Sequence, residues 1–66
     1  AMRSGNSGAT VRSLQTRLNT KGAALTLDGS YGSKTVSAVQ TFQRANRLTA
    51  DGVVGRQTWN ALYAGT

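Results

Sequence analysis

The chain has 66 residues, is 38% hydrophobic, carries a net charge of +6 and contains no Cys, His or Pro. That length builds one small core and no second domain. Without Cys, His or Glu there is no disulfide, no zinc site of the usual donors and no Ser–His or Cys–His catalysis, so neither metal nor cofactor is expected.

Residues 1–8 are small and polar with two glycines, and read as a flexible tail or linker remnant. Val11, Leu14 and Leu18 recur at helical spacing and predict a first helix over about 9–21, closed by Gly22. Residues 22–32 read as a loop carrying Leu25 and Leu27. Val36, Val39 and Phe42 form the next stripe and predict a helix over about 33–46. Gln40 and Arg44 fall on its far face, and Asn46 suits a left-handed helix end. Trp59, Leu62 and Tyr63 predict a third helix over about 56–64. No segment reaches the roughly 18 apolar residues of a membrane helix, and no signal peptide is visible in this chain.

The chain also repeats itself. Residues 25–39 read LTLDGSYGSKTVSAV and residues 48–62 read LTADGVVGRQTWNAL. Leu25/Leu48, Thr26/Thr49, Asp28/Asp51, Gly29/Gly52, Gly32/Gly55, Thr35/Thr58 and Ala38/Ala61 coincide. In each copy, Asp-Gly is a turn pair, the next glycine can stand at a helix N-cap, and the Thr falls in the first helical turn. Two such glycine-rich loop–helix units behind a first helix give an all-α, compact three-helix bundle.

These residues resemble the peptidoglycan-binding domain family, a wall-targeting module of bacterial and phage cell-wall hydrolases. Val11, Leu14, Gln15, Leu18 and Gly22 match its opening pattern. Asp28, Gly29, Tyr31, Gly32, Thr35, Ala38, Val39, Phe42 and Gln43 match its middle, and Leu48, Asp51, Gly52, Val54, Gly55, Thr58, Trp59 and Leu62 its end. The chain departs from the family at Ala9, Ser33, Ala50 and Arg56, where Pro is common, and at Arg47, where Gly is common. The resemblance implies a domain over 9–66, a three-helix fold, no catalysis, and binding to peptidoglycan (stem peptide, glycan or both). It implies as partner a hydrolase domain in the parent chain, such as a phage endolysin or a bacterial autolysin or peptidase. It also implies action at the bacterial wall, in the periplasm or outside the cell, by a monomer.

Asp28, Tyr31, Gln40, Arg44, Asn46, Arg47 and Asp51 are the candidate ligand contacts. Tyr31 offers an apolar face with a polar tip, and the arginines can pair with carboxylates. The two Asp residues equally suit turns, and Gln15 and Gln43, at the edges of apolar stripes, suit the tying down of loops. Gly29, Gly32, Thr35, Gly52, Gly55, Thr58 and Trp59 read as structural. A charge of +6 admits a second function, a small basic nucleic-acid-binding helical domain. Against it, Arg12, Arg17 and Lys21 share no helix face, and the third helix carries only Arg56.

Overall fold

The computed structural model describes residues 2, 3 and 5–63, which form three helices and no strand. They are α1 (Ala9–Thr20), α2 (Ser33–Ala45) and α3 (Arg56–Tyr63). The first two stop one residue short of the expected ends, and the expected end of the third at position 64 lies outside the described residues. Each helix starts at a glycine. The carbonyls of Gly8, Gly32 and Gly55 accept the N–H of Arg12, Val36 and Trp59 at 3.1, 3.0 and 3.0 Å.

Two helices end in the same way. After α1, the N–H groups of Gly22 and Ala23 donate to the carbonyls of Asn19 and Leu18. After α2, those of Arg47 and Leu48 donate to Arg44 and Gln43. This crossed pair needs a left-handed residue just past the helix. Gly22 fills the place at φ 108°, and Arg47 fills it at φ 59°. Asn46, expected from sequence to take the left-handed turn, has φ −103° and is the last helical cap instead. The turn falls one residue later because Leu48, not Arg47, must reach back to Gln43.

α1 packs against both α2 and α3 and is the hub of the bundle. Val11, Leu14 and Leu18 from α1, Val39 from α2 and Leu62 from α3 are buried together with the loop residues Tyr31 and Val54. Val36, Phe42 and Trp59 pack partly buried against them. Tyr63, placed by periodicity on the core stripe, is 42% exposed. Its ring meets Trp59 edge-on at 5.2 Å and lies under the Arg17 guanidinium at 4.1 Å, an aromatic and cation–π stack on the outside of the bundle.

The segment before α1, read as a flexible tail, is hydrogen-bonded to both loops. Met2 and Val54 exchange two backbone bonds of 3.0 and 2.7 Å. Asn6 accepts from Tyr31 at 3.0 Å, Gly5 donates to Tyr31 at 3.2 Å, and Gly8 donates to Gly29 at 2.8 Å. The loops have backbone groups that no helix satisfies, and the preceding segment supplies partners. Its glycines permit the approach: a Cβ on Gly29 would stand 3.1 Å from the Gly8 carbonyl oxygen.

Arg47 is exposed, so its left-handed backbone is a cost without a packing return. Arg47→Gly should stabilise the fold by about 1 kcal/mol, the relief of left-handed strain exceeding the added unfolded-state entropy. In a domain of this size that raises the melting temperature by roughly 4–8 °C. An unchanged or lower melting temperature by calorimetry would remove the strain argument.

Candidate binding site

Each Asp-Gly loop is closed by a buried glutamine from the preceding helix. Gln15 Nε2 donates to Asp28 Oδ1 (3.0 Å), the Ser30 carbonyl (3.0 Å) and Thr35 Oγ1 (3.2 Å), while its Oε1 accepts from the Gly29 N–H (3.0 Å). Gln43 Nε2 donates to Asp51 Oδ1 (3.1 Å), the Val53 carbonyl (2.9 Å) and Thr58 Oγ1 (3.1 Å), while its Oε1 accepts from the Gly52 N–H (3.0 Å). The Asp turns are completed by bonds from the Ser30 and Val53 N–H groups to the same Oδ1 atoms, both at 2.9 Å. Two amide hydrogens are thus shared among three acceptors in each clamp. Gly29 and Gly52 take φ 72° and 74°, and a Cβ on Gly52 would stand 3.0 Å from Val36 Cγ1.

The two clamps are joined through Tyr31, whose hydroxyl donates to the Gly52 carbonyl at 2.7 Å. Tyr31, a candidate contact from the sequence, is 2% exposed and sits in the core. A loop aromatic is drawn inward here because its hydroxyl finds a backbone partner across the core. Burial first, and the Asp51 charge second, push its hydroxyl up to about 12. Among the described residues every buried side-chain nitrogen and oxygen has a partner.

Each clamp forms one wall of an open cavity. The first, about 300 Å³, is lined by Gln15, Leu25, Thr26, Asp28, Lys34 and Thr35 among others. The second, about 360 Å³, is lined by Gln43, Leu48, Thr49, Asp51, Gln57 and Thr58 among others. Every lining residue of the first has its counterpart in the second, 23 positions on for the loop and helix residues and 28 for the glutamine. Leu25, Thr26, Leu48 and Thr49, outside the candidate contacts of the sequence, line these cavities. Their signal was the repeat itself, in which both pairs coincide.

Asp28 and Asp51 are exposed, each with one carboxylate oxygen in a clamp. The Ser30 N–H first, then the Gln15 amide and Arg12, hold Asp28 below the ordinary 3.8. The Val53 N–H first, then the Gln43 amide, hold Asp51 below it against the desolvation that opposes them. The other candidates lie on α2 and just past its end, with Gln40 beside the second turn. Gln40 is half-buried against Gly52. Arg44, Asn46 and Arg47 are exposed at the end of α2, where Asn46 Nδ2 donates to the Phe42 carbonyl at 2.9 Å. A larger groove of about 550 Å³ lies between α2, α3 and the end of α1, lined by Leu18, Lys21, Ala38, Phe42, Asn46 and Ala61 among others.

The chain is a three-helix bundle whose two Asp-Gly loops are closed by buried glutamines. Residues 7–62 match the family described as a peptidoglycan binding domain, and the chain belongs to that family. It is 47% identical over 62 residues to a zinc D-Ala-D-Ala carboxypeptidase of Streptomyces albus G, a match covering 89% of this chain and 24% of that protein. It is 44% identical over 66 residues to a probable N-acetylmuramoyl-L-alanine amidase of Bacillus licheniformis, covering 96% of this chain and 19% of that one. The crystal structure of the Burkholderia AP3 phage endolysin superposes with a TM-score of 0.94 at 46% identity, over 98% of this chain and 25% of that chain. The chain therefore spans about a quarter or less of the length of these relatives.

Gln15→Ala and Gln43→Ala should each cost roughly 2–4 kcal/mol, since each strands a buried glycine N–H and removes a set of loop bonds. Urea unfolding checks this, and a loss below about 1 kcal/mol at both positions would mean that the loops hold without their clamps.

Stability should also fall at both ends of the pH range. The Asp contribution is whole above the unfolded value of 3.8 and is lost as pH falls through it toward the lower folded values. The Tyr31 contribution is whole below the ordinary 10.0 and is lost as pH rises from there toward about 12. Melting temperatures should therefore drop below pH 3.8 and above pH 10.0, with Tyr31→Phe flattening the alkaline limb. An alkaline limb unchanged in Tyr31→Phe would assign it to another group.

Proposed function

We propose that the chain is a non-catalytic peptidoglycan-binding module that holds an attached cell-wall hydrolase, a phage endolysin or a bacterial autolysin or peptidase, at the bacterial wall. The observation that carries this reading is the family match over residues 7–62. The relatives named above are a carboxypeptidase, an amidase and an endolysin, each several times longer than the chain. Tethering a hydrolase domain to such a module raises its effective concentration at an insoluble substrate. The module acts as a monomer outside the cytoplasmic membrane, in the periplasm or beyond. Its net charge of +6 attracts it to an anionic wall, with Arg44 and Arg47 meeting carboxylates or phosphates and Asp28 and Asp51 contacting the polymer at the loops.

Capture on purified insoluble sacculi at low salt and at about 0.5 M salt tests this, because loose charge attraction is largely screened at the higher value. Retention on sacculi in high salt, with release from double-stranded DNA over the same range, is the expected result. Loss from sacculi together with tight, sequence-dependent DNA binding would overturn it in favour of a nucleic-acid-binding domain.

A further inference from the structure

We infer, on the wall-binding reading above, that the two loop cavities are a matched pair of subsites, each seating the acetamido group of one N-acetylated amino sugar of the glycan strand. The chain has only two acidic side chains, and one lies in each cavity. Each cavity also has one cationic side chain, Lys34 in the first and Arg56 in the second, so each is close to neutral inside a strongly basic protein. A net-neutral pocket with an ionised carboxylate selects a neutral, hydrogen-bonding ligand and disfavours the carboxylates of a stem peptide.

The chemistry of the lining fits a secondary acetamide. Its N–H needs an acceptor, and the second carboxylate oxygen of Asp28 or Asp51 is not used by the clamp, which engages Oδ1 alone. Its carbonyl needs a donor, and Thr26 with Lys34, or Thr49 with Gln57, supplies one. Its methyl needs an apolar wall, which Leu25 or Leu48 provides. Volumes of about 300 and 360 Å³ sit at the small end of the ligand range of roughly 300–1,000 Å³, the scale of one amino-sugar residue carrying its acetamide rather than an extended peptide. Duplication adds a second argument. A polymer presenting the same acetamide on successive sugars offers a ligand to each pocket, and a strand whose spacing matches that of the pockets gains from effective concentration.

The test is an NMR titration of the ¹⁵N-labelled chain with N,N′-diacetylchitobiose, with the de-N-acetylated glucosamine disaccharide and an alanine-containing stem peptide as separate probes. The expected result is shifts at the amides of Thr26 and Lys34 and at those of Thr49 and Gln57, from the acetylated sugar only. The two sets should saturate within about tenfold of each other, since the Asp, Thr and Leu that carry the contact are the same in both. Asp28→Asn keeps the Oδ1 acceptor that the clamp needs and turns the free oxygen into a donor, so it should abolish the first set alone. Asp51→Asn should abolish the second alone. Thr26→Val and Thr49→Val, at exposed positions, repeat the test should an Asp variant fail to fold. Shifts at one cavity only, equal shifts from the glucosamine disaccharide, or shifts from the stem peptide alone would overturn the proposal. Salt-resistant capture on sacculi without any disaccharide response overturns it while leaving the wall-binding reading standing. Failure on sacculi overturns that reading itself.

Discussion

The structure depends on how a small chain satisfies the backbone of its own loops. Much of it lies outside helices, in glycine-rich segments packed against a core of few side chains. Buried amide groups in such segments must find partners or lose about the worth of a hydrogen bond each. A glutamine side chain is suited to the task because its carboxamide offers an acceptor and two donor hydrogens, like a peptide group at the end of a short stem. Gln15 and Gln43 each use both ends, accepting from a glycine N–H and donating to an aspartate, a carbonyl and a threonine.

The clamps explain the residues around them. The aspartate must present one oxygen to the amide and to its own turn, so Asp serves where a longer Glu would overreach. The glycine after it must turn left-handed while its N–H points into the clamp. The threonine three residues past the helix-starting glycine brings a hydroxyl to the glutamine nitrogen, which places the first turn of α2 or α3 against the loop before it. Tyr31 then ties the first loop to the second through Gly52, and the segment before α1 ties into both.

Much of this was legible in the sequence. The helical stripes placed three helices to within a residue or two of their observed bounds, wherever those bounds fall among described residues. The role of Gln15 and Gln43 could be read because a polar residue at the edge of an apolar stripe needs a partner, and the Asp-Gly turns supplied one nearby. What escaped was set by long-range contact rather than local pattern. Tyr31 sits in a loop with no periodicity to say which way it faces, and its burial depends on a carbonyl 21 residues away. The segment before α1 has the composition of a linker, and only the unmet backbone groups of Tyr31, Gly29 and Val54 give it a place. Tyr63 fits the apolar stripe of α3, but Arg17 offers it a stack at the surface. Arg47 turns left-handed where Asn46 has the better propensity, because the closing bond from Leu48 to Gln43 fixes the position of the turn whatever residue occupies it.

The distribution of charge separates two tasks that a wall-binding module must perform. Seven of the eight cationic side chains are exposed, spread along the chain from Arg3 to Arg56, and the eighth, Arg17, is engaged with Tyr63. Scattered charge attracts over a Debye length, about 8 Å at physiological ionic strength, without selecting an orientation. The two acidic side chains sit instead at fixed points, each held by a backbone N–H and a buried amide, at corresponding cavities of the two loop–helix units. On the proposed reading, orientation is set there, because each Oδ1 is tied to a backbone N–H and a buried amide. On the same reading, cations outside the two cavities serve attraction and the aspartates serve recognition. Among the described residues no cationic side chain takes part in the clamps, whereas each aspartate is bound to the bond network that closes its loop.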